Sequence, residues 1–139
     1  MTRARILLAD DHKEMRERVV CLLEPEFDVI GAVADGGQLL TAEAALHPDV
    51  CVVDISMPSI CGIDAAIKMK AGGSEAKIVL LTIYEDPDFL QAAMASGAAG
   101  YVVKSRMASD LSVAVRAALA GRIFVSSSPK LNIETARPT

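Results

Sequence analysis

The 139-residue sequence contains no tryptophan, and aromatic residues make up only 4% of it. Hydrophobic residues as a class still reach 52%, so alanine, valine, leucine and isoleucine must build the core. With 23% charged residues, this composition is typical of one globular domain and excludes an intrinsically disordered chain. The many alanines favour helices that pack closely on a sheet.

Cysteine is also scarce, since the sequence has only Cys21, Cys51 and Cys61 and no C-x-x-C pair. An odd number without paired spacing argues against a disulfide framework and against a zinc site. We therefore expect reduced and mostly buried thiols.

Long apolar runs and excess positive charge are missing as well. No run approaches the ~18 residues of a membrane span. Met1 to Arg5 lead directly into a strand pattern without a visible signal peptide. The net charge is −4 and the isoelectric point about 5.1, which argues against a broad surface for nucleic acid. We expect a cytoplasmic protein without a membrane partner, which contacts DNA only through a further domain.

A strand-then-helix pattern occurs five times. Short apolar runs predict strands over residues 6–9, 27–34, 50–53, 77–82 and 100–103. Helices are predicted over residues 12–24, 38–46, 63–70, 88–96 and up to about residue 120. The alternation predicts an α/β fold with a parallel sheet between two layers of helices.

Some local features are also predicted. The last helix is expected to be capped by Ser105 or Ser109 and to turn Leu111, Val115 and Leu119 inward. The glycine pairs at residues 36–37 and 72–73 are expected to form turns, because the phosphate-loop pattern G-x-x-x-x-G-K-[ST] is absent. His12 and His47 are predicted to be exposed and unrelated to catalysis.

Five polar residues lie where four of the predicted strands end: Asp10, Asp11, Asp54, Thr82 and Lys104. The carboxyl ends of parallel strands share one edge of the sheet, so these side chains are predicted to meet in one crevice. Two carboxylates ~5 Å apart repel by about 3 kcal/mol at an effective dielectric of ~20. Three of them favour a bound divalent cation, and oxygen ligands favour Mg²⁺ over Zn²⁺.

Such a crevice also suits phosphoryl chemistry. The cation, the Lys104 ammonium and the Thr82 hydroxyl would together accommodate phosphoryl oxygens. The Asp54 carboxylate then becomes the candidate nucleophile, forming an aspartyl phosphate. For any one of these residues a bland alternative exists, such as a helix-capping role for Asp10 or Asp11.

The combined motifs resemble the receiver domain of two-component response regulators. The resemblance covers residues 4–125 and rests on Asp10-Asp11, the D-x-x-M-P-x-x-x-G run from Asp54 to Gly62, Thr82, and residues 100–104. It implies a flavodoxin-like (βα)5 fold, a three-layer sandwich with a five-stranded sheet of order 2-1-3-4-5. Residues 126–139, with three serines and two prolines, are expected to form a linker or tail toward an output domain.

The resemblance also implies a role for each site residue. Asp54 accepts the phosphoryl group from a sensor histidine kinase, and Lys104 pairs with that group. Thr82 moves to bind the group, and Tyr101 turns inward behind it as the second switch residue. The remaining roles concern the cation, for which Mn²⁺ is a possible substitute for Mg²⁺: its ligands are Asp11, Asp54, the backbone carbonyl of Ser56, and Asp10 through water.

Two positions depart from the commonest pattern of the family. Ser105 stands where proline usually follows the lysine, which puts the usual cis peptide bond in doubt. Ile83 follows Thr82 where a small residue is frequent, and its bulk is expected to narrow access to the site and to alter the phosphoryl lifetime. The ending at residues 121–125 looks most like the NarL/FixJ subfamily, whose receivers precede a LuxR-type helix-turn-helix domain.

Three functions follow from this resemblance and its alternatives. The first is a receiver that is not a turnover enzyme and controls a C-terminal DNA-binding domain absent from this chain. The second is a stand-alone receiver that acts through protein partners or as a phosphoryl shuttle. The third is a small phosphatase with an aspartyl-phosphate intermediate. A homodimer is expected through helix 4, strand 5 and helix 5, or through helices 1 and 5.

Overall fold

The computed structural model describes residues 3–127, which form six strands, five α-helices and one 3₁₀ turn. The strands are β1 (Arg5–Ala9), β2 (Asp28–Val33), β3 (Val50–Asp54), β4 (Lys77–Thr82), β5 (Gly100–Val103) and β6 (Phe124–Val125). The helices are α1 (Lys13–Leu23), α2 (Gly36–Leu46), α3 (Gly62–Ala71), α4 (Pro87–Ala95) and α5 (Met107–Leu119), with the 3₁₀ turn over Lys104–Arg106.

All strand pairs are parallel, and the sheet order is β2-β1-β3-β4-β5-β6. The predicted α/β fold and the order of its first five strands are confirmed. The sixth strand extends that sheet: Phe124 and Val125 pair with Gly100 and Tyr101 at the β5 edge. Two residues are too few to show a strand pattern in the sequence.

Alternate side chains of the central strands face two separate cores. On one face, strand residues such as Leu7, Val53 and Leu80 pack against α2, α3 and α4. On the other face, Leu8 and Val52 pack against α1 and α5. Both faces of the sheet are therefore covered, which explains why β3 is an unbroken apolar run from Val50 to Val53.

The observed starts of α2 and α5 differ from the predicted ones, and the capping residues explain the difference. Asp35 caps α2 by accepting a hydrogen bond from Gln38 N at 2.8 Å, so Gly36 begins the helix instead of forming a turn before it. At α5, neither predicted serine is the cap: the 3₁₀ turn continues the chain directly into Met107, and Arg106 occupies the cap position.

The inward face of α5 was predicted correctly for Leu111 and Val115, which are buried. It was wrong for Leu119, which is 42% exposed. Leu119 is the last residue of the helix, whose buried residues end at Ala118. Among residues 3–127, no helix combines the length and apolarity that a membrane span requires.

The three thiols are free, as predicted, but only one of them is fully buried. Burial, and secondarily the charge of Glu43, raises the pKa of Cys51 to about 12. Cys21 lies on the exposed side of α1 and Cys61 is half-buried, so the expectation of mostly buried thiols is wrong.

Ser126 was assigned to the tail, yet it is only 1% exposed. It follows β6 directly and is hydrogen-bonded to β5 and α5, so it belongs to the packed part of the chain. The rest of the predicted tail, residues 128–139, lies outside the described residues.

Candidate functional site

The predicted crevice exists at the carboxyl edge of the sheet. β1 and β3 are neighbours in register, with Ala9 opposite Val53, so Asp10 and Asp54 leave adjacent strands at the same level. Both are buried, with 0% and 2% exposure. Two ionisable side chains are thus held side by side in a place where apolar packing alone would exclude them.

Lys104 reaches this pair from β5, across the intervening strand β4. Its Nζ lies 3.2 Å from Asp54 Oδ2 and 3.5 Å from Asp10 Oδ2. The lysine side chain is 13% exposed, so solvent screens its charge only weakly. One ammonium therefore serves two buried carboxylates, and the local charge stays negative.

This imbalance acts on the ionisation of Asp54. Burial, followed by the charge of Asp10, raises the pKa of the Asp54 carboxyl above its ordinary value of 3.8. The Lys104 ammonium and the Ser56 N–H, which donates to Asp54 Oδ1 at 3.2 Å, lower the pKa and oppose part of that rise. The net effect is that ionisation of Asp54 is less favourable in the folded protein than in an isolated carboxyl group.

The carboxylates around Asp54 form a set of oxygen donors that suits a magnesium ion. Ligand atoms of Asp10, Asp11, His12 and Asp54 all lie within 4.8 Å of one another. Three carboxylate oxygens are buried and accept no well-aligned hydrogen bond: Asp10 Oδ2, Asp11 Oδ1 and Asp54 Oδ2. Their near neighbours are Lys104 Nζ, shared by Asp10 and Asp54, and His12 Nδ1 beside Asp11. The buried charge is therefore incompletely balanced, which is costly. Anionic oxygens are the ligands that Mg²⁺ prefers, so these residues fit the predicted cation.

His12 lies at the rim of this cluster, which the sequence analysis did not expect. Its side chain is 71% exposed, as predicted, but its Nδ1 lies 3.0 Å from Asp11 Oδ1. Its backbone N–H also donates to Asp10 Oδ1 at 2.8 Å. Its position directly after Asp11 was the available signal. His47, by contrast, is exposed and far along the chain at the end of α2.

The loop after Asp54 is shaped by Gly62, the last residue of the D-x-x-M-P-x-x-x-G run. Gly62 N donates to Ile55 O at 2.8 Å, which closes the loop on itself. A Cβ on Gly62 would lie 2.5 Å from Asp54 O and 2.9 Å from Ile55 Cα. The motif ends in glycine because the start of α3 passes directly over the backbone of the site residue.

Thr82 and Tyr101 form a second group beside the carboxylates. Thr82 ends β4 with 1% exposure, and its hydroxyl accepts a hydrogen bond from Tyr84 N at 2.9 Å. Tyr101 is fully buried and donates its hydroxyl to Tyr84 O at 2.8 Å. Burial raises the pKa of Tyr101 to about 12, and a hydrogen bond with Thr82 opposes that rise. Tyr101 therefore already points inward, and Tyr84, which the sequence analysis did not single out, joins the two switch candidates.

The two departures from the family pattern have clear positions. No peptide bond among residues 3–127 is cis, so Lys104–Ser105 is trans. Ile83 is 68% exposed and does not line the adjacent cleft of about 480 Å³, whose walls include Met57 and Phe89. The geometry gives no support to a narrowing of the site by Ile83, and its effect on phosphoryl lifetime stays a prediction.

Comparison with known proteins agrees with this geometry. The family described as the response regulator receiver domain matches residues 6–116. YvfU, an uncharacterized transcriptional regulatory protein of Bacillus subtilis, is 34% identical over 136 residues, or 96% of this chain. LiaR, a transcriptional regulatory protein of the same organism, is 34% identical over 95% of this chain.

A solved structure gives the same result in three dimensions. The crystal structure of a LuxR-family two-component response regulator from Aurantimonas superposes with a TM-score of 0.88. It is 34% identical, and the match covers 97% of this chain and 96% of that one. The curated relatives are longer, since this chain spans only 66% of YvfU and 61% of LiaR.

Proposed function

This chain belongs to the response regulator receiver domain family, and from that premise we propose that Asp54 accepts a phosphoryl group from a sensor histidine kinase. The observation that carries the proposal is the placement of Lys104 Nζ, 3.2 Å from Asp54 Oδ2, beside the further carboxylates of Asp10 and Asp11. The candidate nucleophile, the Lys104 ammonium and carboxylates suited to a divalent cation lie together at one edge of the sheet, which supports the proposal.

The reaction transfers one phosphoryl group. A carboxylate oxygen of Asp54 forms the new P–O bond while the P–N bond of the donor phosphohistidine breaks, and the imidazole leaves. The Asp54 nucleophile has to be ionised, and Lys104 favours that state at neutral pH. As the phosphoryl group arrives, the ammonium remains close enough to balance its added negative charge.

Asp10, Asp11 and Asp54 would hold Mg²⁺, or Mn²⁺ in its place, with the Ser56 carbonyl as a further ligand and Asp10 acting through water. When bound, the cation would neutralise charge on the transferred phosphoryl oxygens. The protein's own contribution is to bury Asp10 and Asp54, with Asp11 partly buried beside them, and to keep ligand atoms of all three within 4.8 Å of one another. Their mutual repulsion is thereby stored in the apo fold and relieved by the cation.

Thr82 and Tyr101 are proposed to report the phosphoryl state. Thr82 now accepts a hydrogen bond from Tyr84 N, so a turn of its hydroxyl toward Asp54 would release that bond. Tyr101 shares the same backbone partner through Tyr84 O. A change at the phosphoryl group would thus reach the start of α4 and the strand β5 together.

The output is proposed to be transcriptional. YvfU and LiaR are both described as transcriptional regulatory proteins, and this chain spans less than two thirds of the length of each. We infer control of a C-terminal helix-turn-helix domain, through a homodimer formed either by α4, β5 and α5 or by α1 and α5. The setting is cytoplasmic. The coding sequence beyond Thr139 separates this from a stand-alone receiver: a helix-turn-helix pattern supports the first, and a stop codon supports the second.

A small phosphodonor tests the proposed chemistry. Acetyl phosphate with Mg²⁺ should label the chain to at most one phosphoryl group per molecule, and chelation of the cation should prevent the labelling. Continuous release of phosphate from a phosphomonoester, at many turnovers per molecule, would instead support a phosphatase and contradict the receiver.

A further inference from the structure

Ser126 lies where the chain leaves the sheet, and it is bound from three sides. Its backbone N–H donates to Tyr101 O at 2.9 Å. Its hydroxyl accepts from Val103 N at 3.0 Å and donates to Asp110 Oδ2 at 2.7 Å. Ser126 is 1% exposed and Asp110 is 7% exposed. This buried serine and aspartate, here called the clasp, join β5 to α5.

The clasp occupies the position where the β5–β6 ladder ends. In a continued parallel ladder, Val103 N–H would donate to the backbone carbonyl of Ser126. Here the Ser126 hydroxyl takes that carbonyl's place, so the backbone is released from the sheet while the buried N–H keeps a partner. This hydrogen bond therefore ends the β5–β6 ladder and lets the backbone after Ser126 turn away from the sheet.

Asp110 fixes the orientation of that hydroxyl. Its Oδ2 also lies 3.1 Å from Arg106 Nε, and its Oδ1 accepts a hydrogen bond from the Ser109 hydroxyl at 3.0 Å. Because a carboxylate only accepts, the Ser126 proton has to point at Asp110, which leaves an oxygen lone pair for Val103 N–H. The arrangement has one consistent direction of hydrogen bonding, which makes it specific to a hydroxyl at position 126.

The strand that the clasp holds is also the strand that serves the proposed phosphorylation site. Val103 directly precedes Lys104, whose Nζ contacts Asp54, and Tyr101 is the buried switch candidate. Ser126 is bonded to the backbone of both Val103 and Tyr101. Any shift at the end of β5 therefore has to change the bonds of Ser126.

We propose that Ser126 is a positioning residue that holds the end of β5, and with it Lys104, in the geometry that the phosphoryl transfer to Asp54 needs. The inference rests on the proposed function. Because Lys104 follows Val103 directly and contacts Asp54, a phosphoryl group on Asp54 is also expected to change the hydrogen bonds of the clasp. The point at which the chain leaves the sheet is in this way tied to the chemistry at Asp54.

The test compares three serine variants of the full chain during labelling by acetyl phosphate and Mg²⁺. Ser126→Ala should slow labelling about 5-fold or more, the lower end of ordinary coupling between sites. Ser126→Thr, which keeps the hydroxyl, should restore most of the rate. Ser96→Ala is the matched control, because Ser96 is also buried and bonded, at 2.6 Å, but its hydroxyl bonds to Ala93 O within α4 and not to β5. Its rate should stay within about 2-fold of the wild type.

A second measurement needs no variant and decides the matter if Ser126→Ala fails to fold. Amide hydrogen exchange at Val103 in the wild type should change about 5-fold or more when Asp54 is labelled. An unchanged Val103 amide, or equal labelling rates for foldable Ser126→Ala and the wild type, overturns the clasp alone and leaves the receiver intact. A wild-type chain that takes up no phosphoryl group overturns the proposed function and the clasp together.

Discussion

At the level of single residues, Asp54 is a buried carboxyl group whose ionisation is disfavoured by burial and by the charge of Asp10. It is buried beside Asp10 and compensated by one lysine that both share. Because the pKa of Asp54 is raised in the folded protein, the free energy of unfolding depends on whether Asp54 is protonated. The ionised carboxylate that function needs is the form that the apo fold disfavours.

Asp54→Asn is expected to preserve or raise stability when a chelator is present. The variant removes one of two like charges within 4.8 Å of each other, and Lys104 offsets only part of their repulsion. We expect a gain of about 1–3 kcal/mol at neutral pH, measured by urea unfolding. Asp28→Asn, at an exposed carboxylate in β2, is the control and should change stability by less than about 0.5 kcal/mol.

The pH dependence of that gain has a definite sign. Because the pKa of Asp54 is raised in the folded state, its contribution to stability is fully present below its unfolded value near 3.8. That contribution is lost as the pH rises through the folded pKa. The advantage of Asp54→Asn should therefore be absent at low pH and grow toward neutrality. A marked loss of stability at neutral pH in chelator would contradict the like-charge account.

At the scale of elements, the loop between β3 and α3 shows how a short motif becomes geometry. Gly62 is buried against the carbonyl of Asp54, and a methyl group there would lie 2.5 Å from that oxygen. The backbone of the site residue cannot yield without moving its carboxylate. The glycine is consequently needed for close approach and not for an unusual backbone angle.

Gly62→Ala should therefore damage stability and labelling together. We expect a loss of about 1–3 kcal/mol from the overpacked contact, with slower labelling because Asp54 is displaced. Gly72→Ala is the matched control: a Cβ there would meet Lys68 O at 3.4 Å, an ordinary contact, and its stability should be unchanged or slightly higher. Equal stability of the two variants would show that the loop has room to relax.

Most of the secondary-structure elements could be predicted from the sequence, but some could not. Continuous apolar runs such as Val50 to Val53 identify buried strands, and the order of strands came from the family resemblance and was confirmed. The short strand β6 has no periodicity to detect. Ser126 was misplaced in the tail because a buried serine and an exposed serine look alike until their partners are known.

The site was more predictable than its surroundings. Asp10, Asp54 and Lys104 were placed together because parallel strands present their ends at one edge, and the structure confirms that contact. Their roles remain predictions. Leu119 was assigned inward on helical spacing alone, which does not show where the buried part of the helix ends. Tyr84 was missed because it acts through its backbone, to which the sequence gives no clue.

At the scale of the whole molecule, the sheet concentrates negative charge at one edge and relies on a ligand to relieve it. Buried oxygens of Asp10 and Asp54 there share one ammonium, that of Lys104, and the Asp11 carboxylate lies beside them. A cation that binds only the folded state stabilises it by about 2.7 kcal/mol at 100 times its Kd. The stability of the chain should therefore report on the site even in the absence of a phosphodonor.

Addition of Mg²⁺ should raise the Tm of the wild type, and Asp11→Asn should lose most of that rise. Asp11 contributes one of the carboxylate oxygens of the cluster and is only partly buried, so its removal weakens the site while the fold is retained. The measurement is thermal unfolding with and without the cation. Asp64→Asn, at an exposed carboxylate in the first turn of α3, is the control and should keep the full rise. Equal rises in both variants would place the cation elsewhere.

Locating the phosphoryl group after labelling shows whether Asp54 is the phosphoacceptor. The chain is incubated with Mg²⁺ and acetyl phosphate, and the site of labelling is located by intact and peptide mass spectrometry. We expect a gain of one phosphoryl group that maps to Asp54, is lost in Asp54→Asn and is retained in Asp64→Asn. Undiminished labelling of Asp54→Asn, or a phosphoryl group on another residue of the wild type, would contradict it.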